Sequence, residues 1–382
     1  MTGRSTLEPR PAPVHWPGEP SDDEAARPPA PALVEDAPGV HGRVARSLAR
    51  RLAEAVEGSD APDVVFAVSR HGRRTVMSGG TAGRRPLPRE ALRYEVGSAG
   101  KTFTGLLLAR LIHSGALTGG EPAAVLLDAA RPAGAHPVTL AHLITHTSGL
   151  PALPPGFLRR ALPAWHTNPY ARFPAEQVVR AFLRHRPRHR PGTRWCYSNY
   201  GVAVLGHALA AATGTPWERL LTEQVLSPLG LTGTTLHAHG PETDAPGHAK
   251  DGRTPVPAFD AGGFQAAGAV RATPGDLLAF LEAHLDPAGA EGASPSLAAA
   301  LRAVRRPVLR RGLTHRHVHT IAWFRHPTDG GPMYFHSGAT LGQQAFLGFR
   351  PDTGTALAAV CTRRFRAHDP FVAGAYRLLA EA

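Results

Sequence analysis

Two side chains in this 382-residue chain stand at a spacing that can generate an activated nucleophile. Ser98 and Lys101 bracket the tetrapeptide Ser98-Ala-Gly-Lys101, which follows the extended stretch Arg93-Tyr-Glu-Val96 and opens an apolar helical run from Thr102 onward. On a helix, positions i and i+3 share a face, so the hydroxyl and the amine can meet. A serine hydroxyl is a poor nucleophile near neutral pH, and a lysine becomes its base only where burial or a nearby cation lowers the lysine pKa. Arginine cannot take that role. Composition sharpens the point: the net charge of +12 is carried almost wholly by arginine, and lysine occurs only at Lys101 and Lys250.

A second constellation is Tyr197-Ser-Asn199, between a Pro191-Gly192 turn and a helix expected to begin shortly after Asn199. A tyrosine can relay a proton between nucleophile, lysine and leaving group, and an asparagine amide can hold both the lysine and a substrate carbonyl. The third is His336-Ser-Gly338, ending the strand Pro332-Met-Tyr-Phe335. A strand edge beside the nucleophile can donate a backbone N–H to a developing oxyanion, and a glycine there lets substrate approach the backbone.

Other signals carry less. Gly100-Lys101-Thr102 ends like a phosphate-binding loop, but Glu95 occupies the position of the required first glycine, where a carboxylate would face a triphosphate. His315, His317 and His319 alternate along an expected strand and read as a polar strand face rather than zinc ligands. His142 and His146, four apart on an expected helix without the glutamate of a zinc-protease motif, read as packing and hydrogen-bonding groups. The basic run at 184–192 reads as a solvated loop bordering the substrate mouth.

The elements that must position these residues fall into a simple order. Residues 1–42 are Pro-rich without apolar periodicity and read as a disordered leader. A helix over 44–56 and a strand in Ala61–Arg70 follow, then a turn at His71-Gly72 and a second strand through Arg74-Thr-Val-Met-Ser-Gly79. Residues 97–261 are mostly helical, and a further helix spans about 274–286. Strand signals then return as His317–His326, a turn at 328–331, Pro332–Gly338, Gln344–Arg350 and Thr355–Thr362. Strands at both chain ends around a helical middle imply an α/β (α+β) fold. Its antiparallel sheet is assembled from 43–96 and 262–382, with a helical insertion at 97–261, in one catalytic unit over 43–382. The site belongs in the cleft between these parts.

No apolar run approaches the length of a membrane span, so no membrane partner is expected. The arginines are scattered without a recognition motif, which argues against nucleic acid. Cys196 and Cys361 lack metal-ligand spacing, and the N-terminus lacks an apolar signal region; free thiols and cytoplasmic residence are the expectation. The oligomeric state is left open.

Taken together, the three motifs resemble the serine β-lactamase-like superfamily, nearest in pattern to class C β-lactamases, D-alanyl-D-alanine carboxypeptidases and their esterase and acyltransferase relatives. The likeness runs over about 60–365 and includes the phrases at 143–151 and 266–281. It implies that Ser98 is acylated, Lys101 is its base partner, Tyr197 is a second proton-transfer group and Asn199 orients substrate and lysine. His336 and Gly338 would contact substrate, and the N–H groups of Ser98 and Ala339 would form the oxyanion hole. It implies no metal and no organic cofactor. The third motif of the family is often Lys-Thr-Gly, and a histidine there offers no fixed charge to a substrate carboxylate. The implied activity is hydrolysis of a small-molecule ester or amide through a Ser98 acyl-enzyme. The alternatives are a transacylase passing a small or carrier-bound acyl group to an amine or alcohol, and a catalytically silent binding protein.

Overall fold

The computed structural model describes residues 38–83, 86–132, 136–290, 294–311 and 317–382. Residues 1–37 of the expected leader, and His315, lie outside the described residues. The twelve strands, in chain order, are β1 (Val64–Arg70), β2 (Arg73–Gly79), β3 (Tyr94–Glu95), β4 (Gly247–His248), β5 (Pro255–Val256), β6 (Arg271–Ala272), β7 (Leu309–Arg311), β8 (His317–His319), β9 (Phe324–Pro327), β10 (Pro332–Ala339), β11 (Gln344–Arg350) and β12 (Thr355–Cys361). Eight of them form one sheet in the order β2-β1-β12-β11-β10-β9-β8-β7. Every pairing in it is antiparallel, and β1 lies against β12 from Val64 opposite Cys361 to Arg70 opposite Thr355. The sheet thus joins the two ends of the chain, as the distribution of strand signals implied.

Alternation along the central strands explains why both faces are covered. Phe66 and Val68, with Phe346 and Leu357, pack with Leu52, Phe371 and Leu379. Those last three come from the helices Pro38–Glu57 and Pro370–Ala380, the first starting ahead of the expected residue 44. Val65, Ala67, Leu347 and Ala358 point the other way, into the core that holds Phe103 and Phe280. These two rings, from the helices Lys101–His113 and Pro274–Leu285, stack at 3.8 Å. The β1–β2 turn has His71 at φ +48° and Gly72 at φ +78°, the positive pair that a two-residue hairpin requires.

The stretch read as one strand over 317–326 is a hairpin. Thr320–Trp323 turn between β8 and β9, with the Thr320 N–H donating to the Trp323 carbonyl at 2.9 Å. Ile321 and Trp323 made the run look continuous, but they are buried turn residues aimed at the helical core.

Candidate active site

Ser98 sits in the 3-10 turn Gly97–Gly100, and the helix begins at Lys101. A 3-10 turn has three residues per revolution, so positions i and i+3 eclipse. Ser98 Oγ and Lys101 Nζ are 3.1 Å apart as a result. The helix is apolar nearly all round, which marks a buried helix and takes Lys101 into the interior with it. Burial brings the Lys101 pKa down to about 7. One Nζ–H donates to the Ala267 carbonyl at 2.7 Å. Nζ also donates to Ser98 Oγ, so it bridges the two oxygens and near neutral pH stands between its charged and neutral forms.

Tyr197 immediately precedes the helix Asn199–Thr213, whose N-cap is Ser198. Ser198 Oγ accepts the Gly201 N–H at 2.8 Å and donates to the Pro151 carbonyl at 2.6 Å, anchoring the loop at the helix start. The Tyr197 ring lies 5.1 Å from Lys101 Nζ, and its hydroxyl hydrogen-bonds with Ser98. Burial pushes the phenol up to about 12, against the opposing effect of that bond. Tyr197 thus keeps its proton at pH values where Lys101 can release one. Asn199 Nδ2 donates to the Tyr170 hydroxyl at 3.2 Å, and Oδ1 is buried without a partner. Lys101 Nζ donates to the Ala267 carbonyl and not to Asn199, whose Oδ1 stays without a partner.

Two glycines allow the end of β10 to press on the nucleophile turn. A Cβ on Gly338 would lie 2.0 Å from the Val96 carbonyl oxygen and 2.8 Å from the Ser98 nitrogen. A Cβ on Gly97, at φ +51°, would lie 2.8 Å from the Ala339 nitrogen. The Ser98 and Ala339 amides converge only because neither glycine carries a side chain.

His336 differs from expectation. It lies within β10 rather than at its end, is 4 % exposed, and packs on Phe324 at 5.1 Å with Nδ1 2.7 Å from the Ser337 carbonyl. Burial first, and then the charge of Lys101, bring its pKa down to about 3. The imidazole is therefore neutral throughout the physiological range, and His336 is not among the residues that line the cavity beside Ser98.

The residues around Ser98 include several that short motifs did not reveal. A cavity of about 180 Å3 is lined by Ser98, Asn199, Tyr170, Phe259, Phe264 and Leu341, together with small residues that include Ala267 and Ala339. None of its lining side chains is charged. Beneath it, Glu95 and Arg271 pair at 3.0 Å while almost fully buried. Glu95 accepts from the Phe259 N–H at 2.8 Å and from the Thr340 hydroxyl, and Arg271 donates to the Phe259 carbonyl at 2.6 Å. This ion pair holds two cavity walls to the strand that leads into Ser98. Only the weak phosphate-loop test drew attention to Glu95.

His146 is the other unexpected participant. The short helix ends at Ile144, so His146 is beyond it, at φ +59°. His142 instead closes a capping box with Thr139. The His146 ring packs against Tyr197 at 4.5 Å, its carbonyl accepts the Cys196 N–H at 2.8 Å, and Nδ1 accepts the Ser198 N–H at 3.3 Å. Both chain neighbours of Tyr197 are held by this one residue. His319, the described member of the alternating set with a visible side-chain environment, packs between Trp195 at 5.0 Å and Phe324 at 5.1 Å.

Comparison with known proteins bears on the family and the fold. A family model described as beta-lactamase matches residues 48–382. Among curated proteins, a beta-lactamase of Pseudomonas fluorescens is 28 % identical over 251 residues, covering 62 % of this chain and 63 % of its own length. The D-alanyl-D-alanine-carboxypeptidase/endopeptidase AmpH of Escherichia coli (strain K12) is 30 % identical over 202 residues, covering 50 % of this chain and 48 % of its own length. The chain thus spans less than two thirds of these relatives. Among solved structures, a class C beta lactamase from Rhodobacter sphaeroides superposes with a TM-score of 0.72 at 22 % identity, over 88 % of this chain and 99 % of the other. A point mutant of a class C beta-lactamase gives 0.75 at 20 % identity, over 91 % and 99 %. With its family match extending over most of its length and a fold shared with class C beta-lactamase structures, the chain belongs to the beta-lactamase family.

Proposed function

We propose that the protein hydrolyses an ester or amide with an uncharged acyl group through a Ser98 acyl-enzyme. The observation that carries the reading is a buried amine 3.1 Å from Ser98, its pKa brought down to about 7, beside an aromatic cavity with no charged lining side chain. Ser98 Oγ attacks the carbonyl carbon as its proton passes to Lys101 Nζ, and the Ser98 and Ala339 N–H groups receive the oxyanion. Collapse of the tetrahedral intermediate breaks the bond to the leaving group. Tyr197 supplies the proton the leaving group takes and regains one from Lys101. Water then attacks the acyl-enzyme by the same route in reverse. Penicillins carry a carboxylate, and the neutral His336 offers it no ionic anchor; neutral esters lose nothing by this.

Intact-protein mass spectrometry after exposure to a fluorophosphonate, a panel of neutral esters and benzylpenicillin tests the reading. A Ser98 adduct with the fluorophosphonate, with faster turnover of neutral esters than of the penicillin, is expected. Absence of an adduct, or full turnover by Ser98→Ala, overturns it.

A further inference from the structure

The helices Phe157–Ala161 and Ala175–Arg184 flank an open groove of about 760 Å3. Arg159, Arg160, Arg180 and Arg184 line it, with Phe173 at its base. All four arginines are exposed. None pairs with a carboxylate among the described residues, in a molecule whose other surface arginines often do, as Arg219 does with Glu223. The one acid on the two helices, Glu176, acts instead on His207. Beyond the groove, Arg186, Arg188, Arg190 and Arg194 follow in exposed positions on the loop that leads to Tyr197.

The segment that carries Arg159 and Arg160 also exposes large apolar side chains. Leu158 is 60 % exposed, Leu162 68 % and Trp165 39 %, all within one short stretch beside Arg159 and Arg160. Unpaired like charges repel one another, and exposed Trp and Leu lose contact with apolar partners; a partner that is both acidic and apolar relieves both. Arginine and tryptophan are also the side chains that dominate protein interfaces. A second copy of this chain, with its net charge of +12, has the wrong sign for the groove. A nucleic acid would neutralise the arginines and leave Leu158 and Leu162 in water.

The groove and the acyl cavity share a wall. Phe173 at the groove base packs on Phe157 at 5.7 Å and on Phe264 at 6.0 Å, and Phe264 lines the cavity beside Ser98. A partner seated in the groove is one aromatic layer from the nucleophile but cannot itself enter so small a cavity. It can reach Ser98 only through a flexible arm. We propose that this face docks an acidic carrier protein, which presents the acyl group to Ser98 as a thioester on such an arm. Ser98 Oγ attacks the thioester carbonyl, the C–S bond breaks, and the proton from Ser98 leaves with the carrier thiol. The inference rests on Ser98 as the acyl acceptor and adds the donor to it.

The test compares one acyl group on two donors, N-acetylcysteamine and the pantetheine arm of an acidic acyl carrier protein, using the full chain. The carrier donor should give a kcat/KM at least about tenfold higher, an advantage lost at about 0.5 M salt. The double variant Arg159→Glu/Arg180→Glu, and separately Trp165→Ala, should abolish that advantage and leave the small thioester unchanged. Equal rates from both donors, or an advantage untouched by the variants, would sink the docking proposal while the small thioester still acylates Ser98 and keeps the hydrolase reading. If neither donor acylates Ser98, delivery of the acyl group by a carrier is overturned, and the hydrolase reading is decided separately by its fluorophosphonate and ester assay. Docking is then read from fluorescence anisotropy of the labelled acyl-free carrier, where variant-sensitive binding supports it and no binding overturns it. Binding of duplex DNA or self-association through Trp165, without carrier binding, likewise overturns it.

Discussion

The amine of Lys101 bridges two oxygens, the carbonyl of Ala267 at 2.7 Å and Ser98 Oγ at 3.1 Å. With its pKa brought down to about 7 by burial, the base form accumulates as pH rises through neutrality. The acid limb of kcat/KM on a neutral ester should therefore bend near pH 7, with no alkaline limb until the far higher range of Tyr197. Lys101→Arg keeps the charge and loses the base, so a fall of about 10²-fold or more is expected in ester turnover.

The same burial sets a stability signature. Folded Lys101 titrates near 7 and the unfolded side chain near 10.5. Between these values the unfolded chain holds a proton that the folded chain has released, so this group makes stability rise with pH across that window. Below about pH 7 its burial opposes folding most. Lys101→Met should be inactive yet more stable at pH 6, by on the order of a few kcal/mol, with the gain shrinking toward pH 10. Thermal melts of parent and variant at both pH values decide it.

His336 should leave no mark on the pH profile between 5 and 8, since its pKa is about 3. Anionic and neutral esters should share one acid limb. A lysine there would place a second buried amine beside Lys101, so His336→Lys should melt lower and shift the limb below pH 7, rather than gain carboxylate-bearing substrates. A selective gain on such substrates would show that the side chain reaches the cleft.

His146 acts on catalysis by positioning Tyr197, through the bonds to Cys196 and Ser198 and the ring contact at 4.5 Å. Small displacements of a proton donor are costly, and His146→Ala should lower kcat by about 10- to 100-fold with KM little changed. The acid limb should stay near pH 7, because Lys101 is untouched. Loss of activity in proportion to lost folded protein would mean a structural role alone.

The Glu95–Arg271 pair should be the most sensitive point of the cavity walls. Glu95→Gln leaves the buried guanidinium without its counter-charge, and destabilisation of about 3–5 kcal/mol is expected from urea unfolding. Release of Phe259 and Thr340 from Glu95 should also raise KM for neutral esters in the fraction that stays folded.

The parts of the site legible in the sequence were those written in local spacing. Ser98 and Lys101 meet because they stand three positions apart, and Tyr197 and Asn199 flank a helix cap. What could not be read depends on segments remote in sequence. The closeness of Gly97 to Ala339, the ring wall of Tyr170, Phe259 and Phe264, and the carbonyl of Ala267 on Lys101 all arise from chain crossings that no short pattern records. His336 shows the limit most directly: its place in a motif suggested a titrating group, whereas packing against Phe324 and proximity to Lys101 decide its charge. The sheet was legible in outline, since buried strands at both ends have few ways to hide their faces. The break at Thr320–Trp323 was not, because its apolar residues serve the helical core instead of a strand.

The pairing of β1 with β12 fixes the order in which a nascent chain becomes an enzyme. The β1–β2 hairpin and the serine helix leave the ribosome early, yet β1 has an open edge until β12 is made. Gly338 and Ala339, which complete the surroundings of Ser98, also come late. Such distant pairings form slowly and leave a template for unwanted association while they wait. Ser98 is consequently present through most of synthesis without the Ala339 backbone beside it, and its surroundings are complete only with the final hairpin.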